Sequence, residues 1–377
     1  MRVARAIKSA HPSYPSNLLQ RKLVAAAVAS ACALPALALA ETGLTIYGRA
    51  NVSYERITTK NSSDTTAQPN ESNWDLVDNS SRVGFRGRKE LIPGLFGFFQ
   101  IESRVRLDEG FGDLSSRDSY AGLEGVFGTV RLGRTIGPVY YATYDYISMH
   151  NHDTGTSSDA LLAPAIFGNA GFMNNTVWYT SPKFGGFSVD VAHSLLGATR
   201  LPGQSQPRYL GIVGSFDQGP LHLAVSHADT KSSSDIDPGV GVSPNQDRAT
   251  TIGGAYDLKV VVLGALFERA KSKTFASGDV SRNYFRFAAM MPVGKHEFHV
   301  NFGTVNARLD ADLSDDGAKQ WTLGYNYNIT KETKVYGFYT RVDNDSNGTY
   351  GAGNFANVTQ VPGLDISSIA IGVRHNF

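Results

Sequence analysis

The chain has 377 residues, with 35 lysines and arginines against 34 aspartates and glutamates, and a single cysteine. This near balance of charge disfavours nucleic-acid binding, and an apolar fraction of 41% excludes an intrinsically disordered chain. Few charged residues (18%), 39 glycines, 17 tyrosines and 20 phenylalanines favour a protein rich in β-strands.

The N-terminal segment has the pattern of a secretory signal. Positions 1–22 carry five basic residues and no acid, and an uncharged stretch then runs from Leu23 to Ala40. Ala38-Leu39-Ala40 fits a cleavage site with small residues. We therefore predict a signal peptide over 1–40 and a single β-barrel domain over 41–377.

A lipoprotein signal cleaved before Cys32 is the alternative, and it is disfavoured because Ala29 stands where a leucine-like residue is needed. Cleavage after Ala40 would leave thirty basic residues against 34 acids, a net charge of −4, and no cysteine. A mature chain without cysteine excludes catalytic thiols, zinc–thiolate sites and disulfides. We expect no metal and no cofactor.

Strands with one apolar side follow the signal. From Leu44 to Glu55, apolar or small residues at even positions alternate with polar residues at odd positions. The same period recurs at Phe298–Phe302, Trp321–Ile329 and Ile369–Phe377. A soluble β-sandwich would also alternate, so the period alone does not separate it from a membrane barrel.

The lengths of the connections favour a barrel. Short turns are predicted at 92–94, 125–128, 183–185, 217–220, 257–259, 291–294 and 330–332. Long polar loops are predicted near 58–80, 107–116, 136–174, 197–206, 230–248, 271–280, 307–318 and 343–366. Tight turns at one end and long loops at the other are typical of transmembrane barrels. We therefore predict an all-β, sixteen-stranded antiparallel transmembrane β-barrel.

Four motifs resemble the Gram-negative general porins of the outer membrane. Asn79–Gly87 is similar to their second-strand motif, and Gly128–Arg134 to the start of their long third loop. Asn175–Pro182 resembles the strand after that loop, and Gly372–Phe377 resembles the terminal strand. The resemblance covers the whole predicted mature chain in order.

The resemblance implies a homotrimer in the outer membrane that passes small hydrophilic solutes and ions by passive diffusion. It also implies that the third loop folds into the barrel and that Phe377 is an assembly signal read by the barrel assembly machinery. Outer-membrane lipid and lipopolysaccharide are the other expected partners.

The predicted pore constriction combines arginines of the wall with acids of the third loop. Arg82, Arg104 and Arg131 each alternate with apolar residues and so lie on the polar faces of their strands, with Arg134 at a strand end. The loop, Thr135 to Asn174, carries Asp145, Asp153 and Asp159. Because charges in a narrow pore select ions, we expect a mild preference for anions.

Other interpretations remain open. The arginines could instead be solvated wall residues or be paired with Glu90, Glu102 or Glu124. The channel could be specific for a sugar or a peptide. A barrel-type hydrolase is disfavoured, because the neighbours His193 and Ser194 face opposite sides of a strand and cannot act as a pair. We therefore expect a channel and not an enzyme.

Overall fold

The computed structural model describes residues 43–111, 114–147, 160–161, 171–196, 207–231, 246–274, 278–308, 315–351 and 357–377. The chain divides into two units, Met1–Leu44 and Thr45–Phe377, and the barrel occupies the second. The signal predicted over 1–40 lies outside the described residues. Over the described ranges, no helix is long and apolar enough to cross a membrane.

Antiparallel strands are the main elements in the described part of the barrel unit. The first nine are β1 (Leu44–Lys60), β2 (Ser72–Asp78), β3 (Arg82–Ile92), β4 (Leu95–Arg106), β5 (Gly110–Phe111), β6 (Ser119–Gly125), β7 (Gly128–Thr135), β8 (Met173–Thr180) and β9 (Phe187–Ser194). The others are β10 (Arg208–Gln218), β11 (Leu221–Lys231), β12 (Gln246–Asp257), β13 (Val262–Thr274), β14 (Gly278–Val293), β15 (His296–Arg308), β16 (Ala318–Asn328), β17 (Thr333–Asn344) and β18 (Asp365–Asn376).

These strands form a closed barrel of sixteen membrane strands, which confirms the predicted fold class. β2 and β3 are two parts of one strand, interrupted at 79–81, and β5 is a two-residue arm that pairs with β4. β1 closes the ring, because it pairs with β2 on one side and with β18 on the other. Every other neighbouring pair is joined in chain order.

The outer wall is apolar, as the alternation predicts. Trp321, Leu323, Ile369 and Ile371 are all about half exposed or more, whereas the inward Thr322 is fully buried. Side chains of a strand alternate between its two faces, so this pattern gives the barrel an outward apolar band. A lipid bilayer covers such a band, which would be costly to expose to water.

The seven predicted short turns all lie between paired strands. Two of the predicted long loops are wrong in length. Ser72–Asp78 is strand β2 rather than part of a loop over 58–80, and β13 and β14 leave only 275–277 of the loop predicted over 271–280. Lys271 and Lys273 point outward as exposed residues. A strand with polar side chains on both faces loses the period that identifies it.

Candidate pore constriction

The connection between β7 and β8, residues 136–172, is called loop three below, and its described residues 136–147 and 160–161 pack against the inner face of the barrel wall. It begins with a π-helix, Tyr140–Asp145, which contacts β11 and β12. Tyr144 is fully buried, and its hydroxyl lies 3.3 Å from Thr251 Oγ1 on the wall. Ile147 and Leu161 are also fully buried. The inward fold implied by the family resemblance is thus confirmed.

A histidine of the wall holds the π-helix. His222 Nε2 donates to the carbonyl oxygen of Ala142 at 2.8 Å, and His222 Nδ1 lies 2.6 Å from Asp217 Oδ1. The ring of Tyr146 stacks on the imidazole with centroids 3.5 Å apart. The sequence alone assigns His222 no role, because its partner in loop three is a backbone carbonyl.

A buried carboxylate fixes the start of loop three. Asp118 accepts hydrogen bonds from the Tyr141 hydroxyl and, at 3.1 Å, from the backbone nitrogen of Ile136. Burial raises the pKa of the Asp118 carboxyl. Burial and the neighbouring Asp118 charge raise the pKa of the Tyr141 hydroxyl. Tyr141 therefore stays a neutral donor, and the bond persists while Asp118 is ionised.

A cavity of about 590 Å³ separates loop three from the wall formed by β1, β3, β4, β6, β7 and β8. Its charged lining residues in the described part of the chain are six arginines and three acids: Arg49, Arg82, Arg86, Arg104, Arg117 and Arg131, with Glu102, Asp118 and Asp145. Arg82 and Arg104 occupy directly paired positions on β3 and β4. The arginines therefore form one patch on one side of the lumen.

The cavity brings together four of the predicted constriction residues, Arg82, Arg104, Arg131 and Asp145. Arg134 is not among the residues that line it. Its Nε donates to the Ser116 carbonyl at 3.2 Å and its Nη1 to the Asn174 side chain. Arg134 therefore links the segment before β6 to the start of β8. Asp153 and Asp159 lie outside the described residues.

The alternative that the strand arginines are paired with glutamates holds for only some of them. Arg88 pairs with Glu124 at 3.0 Å, whereas Glu102 binds Arg117 at 2.5 Å and accepts from the Tyr47 hydroxyl at 3.0 Å. The sequence pattern does not single out Arg117, because this residue follows a loop and belongs to no alternating strand. Among the described residues, neither Arg104 nor Arg131 forms an ion pair. No carboxylate of the described residues therefore offsets the positive charge of these two guanidinium groups.

His193 and Ser194 lie on opposite sides of β9. Ser194 is fully buried and donates to the Asn174 carbonyl oxygen at 2.6 Å, whereas His193 is exposed on the other face. A nucleophile and its base must lie within hydrogen-bond reach of each other. These two residues therefore do not form a hydrolytic pair.

A closed barrel with an inward loop and a charged cavity is the architecture of a diffusion channel. Residues 25–347 match the family described as Gram-negative porin. The chain belongs to the Gram-negative porin family. This porin is an integral β-barrel of the outer membrane, and its family consists of water-filled channels rather than enzymes.

Relatives of this porin span most of its length. It is 29% identical to outer membrane porin protein 32 of Delftia acidovorans over 79% of this chain and 85% of that protein. It is 30% identical to a major outer membrane protein P.IB of Neisseria meningitidis serogroup B over 84% of this chain and 91% of that protein.

Solved porin structures share its fold. The structure named "Anion-selective porin from Comamonas acidovorans" is 26% identical and superposes with a TM-score of 0.76 over 89% of this chain and 99% of that chain. OmpT of Vibrio cholerae superposes with a TM-score of 0.63 at 15% identity, over 89% of this chain and 97% of that chain. That second likeness extends to the fold alone.

Proposed function

We propose that this porin passes small hydrophilic anions more readily than cations, and that the cavity beside loop three is the narrowest part of their path. The excess of arginines over acids among the described residues of its lining carries the proposal. One of the three acids, Glu102, is bound by Arg117 and so contributes little net negative charge. The remaining patch attracts anions and repels cations.

The position of these charges matters more than the total charge. Charges on the low-dielectric walls of a narrow pore act on ions more strongly than charges on an open surface. Screening at 0.1 M salt extends over about 10 Å, so an ion in the cavity responds mainly to charges around it. An acidic mature chain can therefore carry an anion-selective channel.

The wall arginines also provide a graded path. Arg82 and Arg86 follow each other on one face of β3, Arg104 lies beside them on β4, and Arg131 lies on β7. Each guanidinium can replace part of the hydration shell of a passing anion. Several weak sites in series allow an ion to enter and also to leave.

The relatives are consistent with this direction of selectivity. The Comamonas acidovorans structure is named as an anion-selective porin, and the match covers 99% of its chain. A channel specific for a sugar is not favoured, because the cavity aromatics Tyr47, Trp178 and Phe172 each lie under an arginine. They offer no continuous row of open rings for a sugar.

Replacing Arg104 and Arg131 together with Gln should shift the zero-current potential in a salt gradient toward cation preference. A guanidinium about 5 Å from an anion contributes roughly 0.8 kcal/mol even in bulk water. We therefore expect the anion-to-cation permeability ratio to fall about two- to fivefold, most in dilute salt. Planar-bilayer recording measures it.

Arg269→Gln combined with Lys271→Gln is the matched control, because it removes the same two positive charges from exposed positions outside the cavity. It should leave the ratio unchanged. An unchanged reversal potential of the double variant at low salt would show that the two arginines do not set the selectivity.

We also propose that the channel assembles as a homotrimer, in contact with outer-membrane lipid and lipopolysaccharide. The family resemblance of the four motifs supports this assembly. One structure of Vibrio cholerae OmpT is described as a trimer form, and at 17% identity it shares the barrel fold.

The mature protein should begin at Glu41. The small residues Ala38-Leu39-Ala40 precede it directly, and strand β1 begins at Leu44, so cleavage there would leave a complete barrel. N-terminal sequencing of protein from the outer membrane checks this position. A lipid-modified Cys32 at the N-terminus would contradict it.

A further inference from the structure

Arg131 is surrounded by aromatic rings. Its Cζ atom lies 4.4 Å from the centroid of the Trp178 ring, 5.9 Å from that of Tyr120 and 6.0 Å from that of Phe98. Its Nη1 donates to Thr180 Oγ1 at 3.0 Å. The guanidinium is therefore held on several sides by groups that carry no net charge.

Trp178 is itself fixed at its edge. Its Nε1 donates to Asp190 Oδ1 at 2.8 Å, and the Thr180 hydroxyl donates to the same oxygen at 2.5 Å. Arg131 therefore reaches the Asp190 carboxylate only through Thr180. The indole and the hydroxyl form one hydrogen-bonded platform on β8 and β9, under the guanidinium.

Loop three completes the platform. The ring of Tyr141 is stacked with that of Trp178, with centroids 6.2 Å apart and planes within 12° of each other. Tyr141 is in turn bound to the buried Asp118. The indole is thus held through its N–H and through its ring, and it cannot turn away from Arg131 without breaking one of these contacts.

A ring holds an arginine differently from a carboxylate. The π-face attracts a cation through its quadrupole and adds no net charge, so the guanidinium stays attractive to a passing anion. A carboxylate at the same place would neutralise it, as Glu102 does for Arg117 in this cavity. The same use of a ring occurs at Arg86, whose Cζ lies 4.9 Å from the Tyr47 centroid.

We propose that Trp178 is a positioning residue for ion selection, which holds Arg131 at the pore wall with its charge intact. The inference rests on the proposed anion preference and assigns part of it to a side chain that has no charge of its own. Without the indole, the guanidinium gains rotamers that take it away from the pore axis or toward Asp190.

A double-mutant cycle in planar bilayers tests the proposal. Trp178→Leu should lower the anion-to-cation permeability ratio about twofold in dilute salt, without a change of formal charge. The same substitution should have no further effect in the Arg131→Gln background, because its target is then absent. Trp178→Phe keeps a ring and should retain more than half of the preference. Trp321→Leu, on the lipid side, is the matched control.

The cycle separates positioning from simple widening of the pore. An equal fall of the ratio in both backgrounds would show that the indole acts by filling space, and would overturn the proposal. An unchanged ratio for Trp178→Leu, with a lowered ratio for Arg131→Gln, would overturn the positioning role and leave the proposed function standing. An unchanged ratio for Arg131→Gln would overturn the role of Arg131 in the proposed function, and the inference with it. If Trp178→Leu fails to assemble, Trp178→Gln, which also lacks a ring, enters the same cycle.

Discussion

Replacing Phe377 with Ala should lower the amount of heat-modifiable porin in the outer membrane severalfold, while the channels that do assemble keep their conductance. Phe377 exchanges backbone hydrogen bonds with Gly48, at 3.1 Å and 2.9 Å, where the first and last strands meet. Its ring lies so close to Gly48 that a Cβ there would stand 2.4 Å from Phe377 Cζ. The ring therefore covers the end of the seam that closes the barrel.

The variant keeps the backbone bonds, so its effect isolates the aromatic ring. Phe377→Tyr keeps a ring and should assemble normally. Ile371→Ala removes another apolar side chain from the outward face of β18, and it should assemble well because Ile371 is 67% exposed and lies away from the chain end. A normal yield of assembled Phe377→Ala would contradict the role of Phe377 as an assembly signal.

Arg282→Met should destabilise the barrel by about 3–5 kcal/mol, because it would leave a carboxylate buried without its main cationic partner. Arg282 pairs with Glu268, and both side chains are fully buried. Arg282 also donates to the Leu161 carbonyl of loop three at 3.4 Å. The loss of Arg282 therefore weakens both the barrel wall and the attachment of loop three to it. Urea unfolding of the refolded protein measures the change.

Two further variants show whether the buried charge is the cause. Glu268→Leu combined with Arg282→Met removes both charges and should recover most of the lost stability, because isosteric apolar groups replace buried ion pairs well. Arg341→Met breaks the exposed pair with Asp343 and should cost less than about 1 kcal/mol. A double variant no more stable than Arg282→Met would contradict this explanation.

Period-two alternation predicts the strands because lipid contact selects apolar residues on one face only. It fails at Ser72–Asp78, where Trp74 and Leu76 are the only outward apolar residues among polar neighbours, and at Lys271–Thr274, where the outward residues are polar. Turns are easier to predict, since they depend on local residues such as Pro93-Gly94.

The candidate site divides in the same way. The inward direction of Arg82, Arg104 and Arg131 follows from the alternation of side chains along a strand, so it could be predicted from the sequence. The contacts of Arg117 with Glu102 and of Tyr141 with Asp118 join loops to distant parts of the chain. No period specifies such contacts, because they depend on the path of loop three.

Loop three divides the inner face of the barrel into a buried part and a part that lines the cavity, and the two parts differ in their tolerance to substitution. Leu266, Tyr284 and Val305 point inward but are buried in one cluster with Tyr144 and Leu161 of the loop, so they obey the packing rules of a soluble protein's interior. Exposed cavity arginines such as Arg86 and Arg104 face open space, where one polar side chain replaces another at small cost in stability. Single substitutions among the exposed cavity arginines can therefore change the ion preference. The buried cluster meanwhile maintains the geometry of the channel.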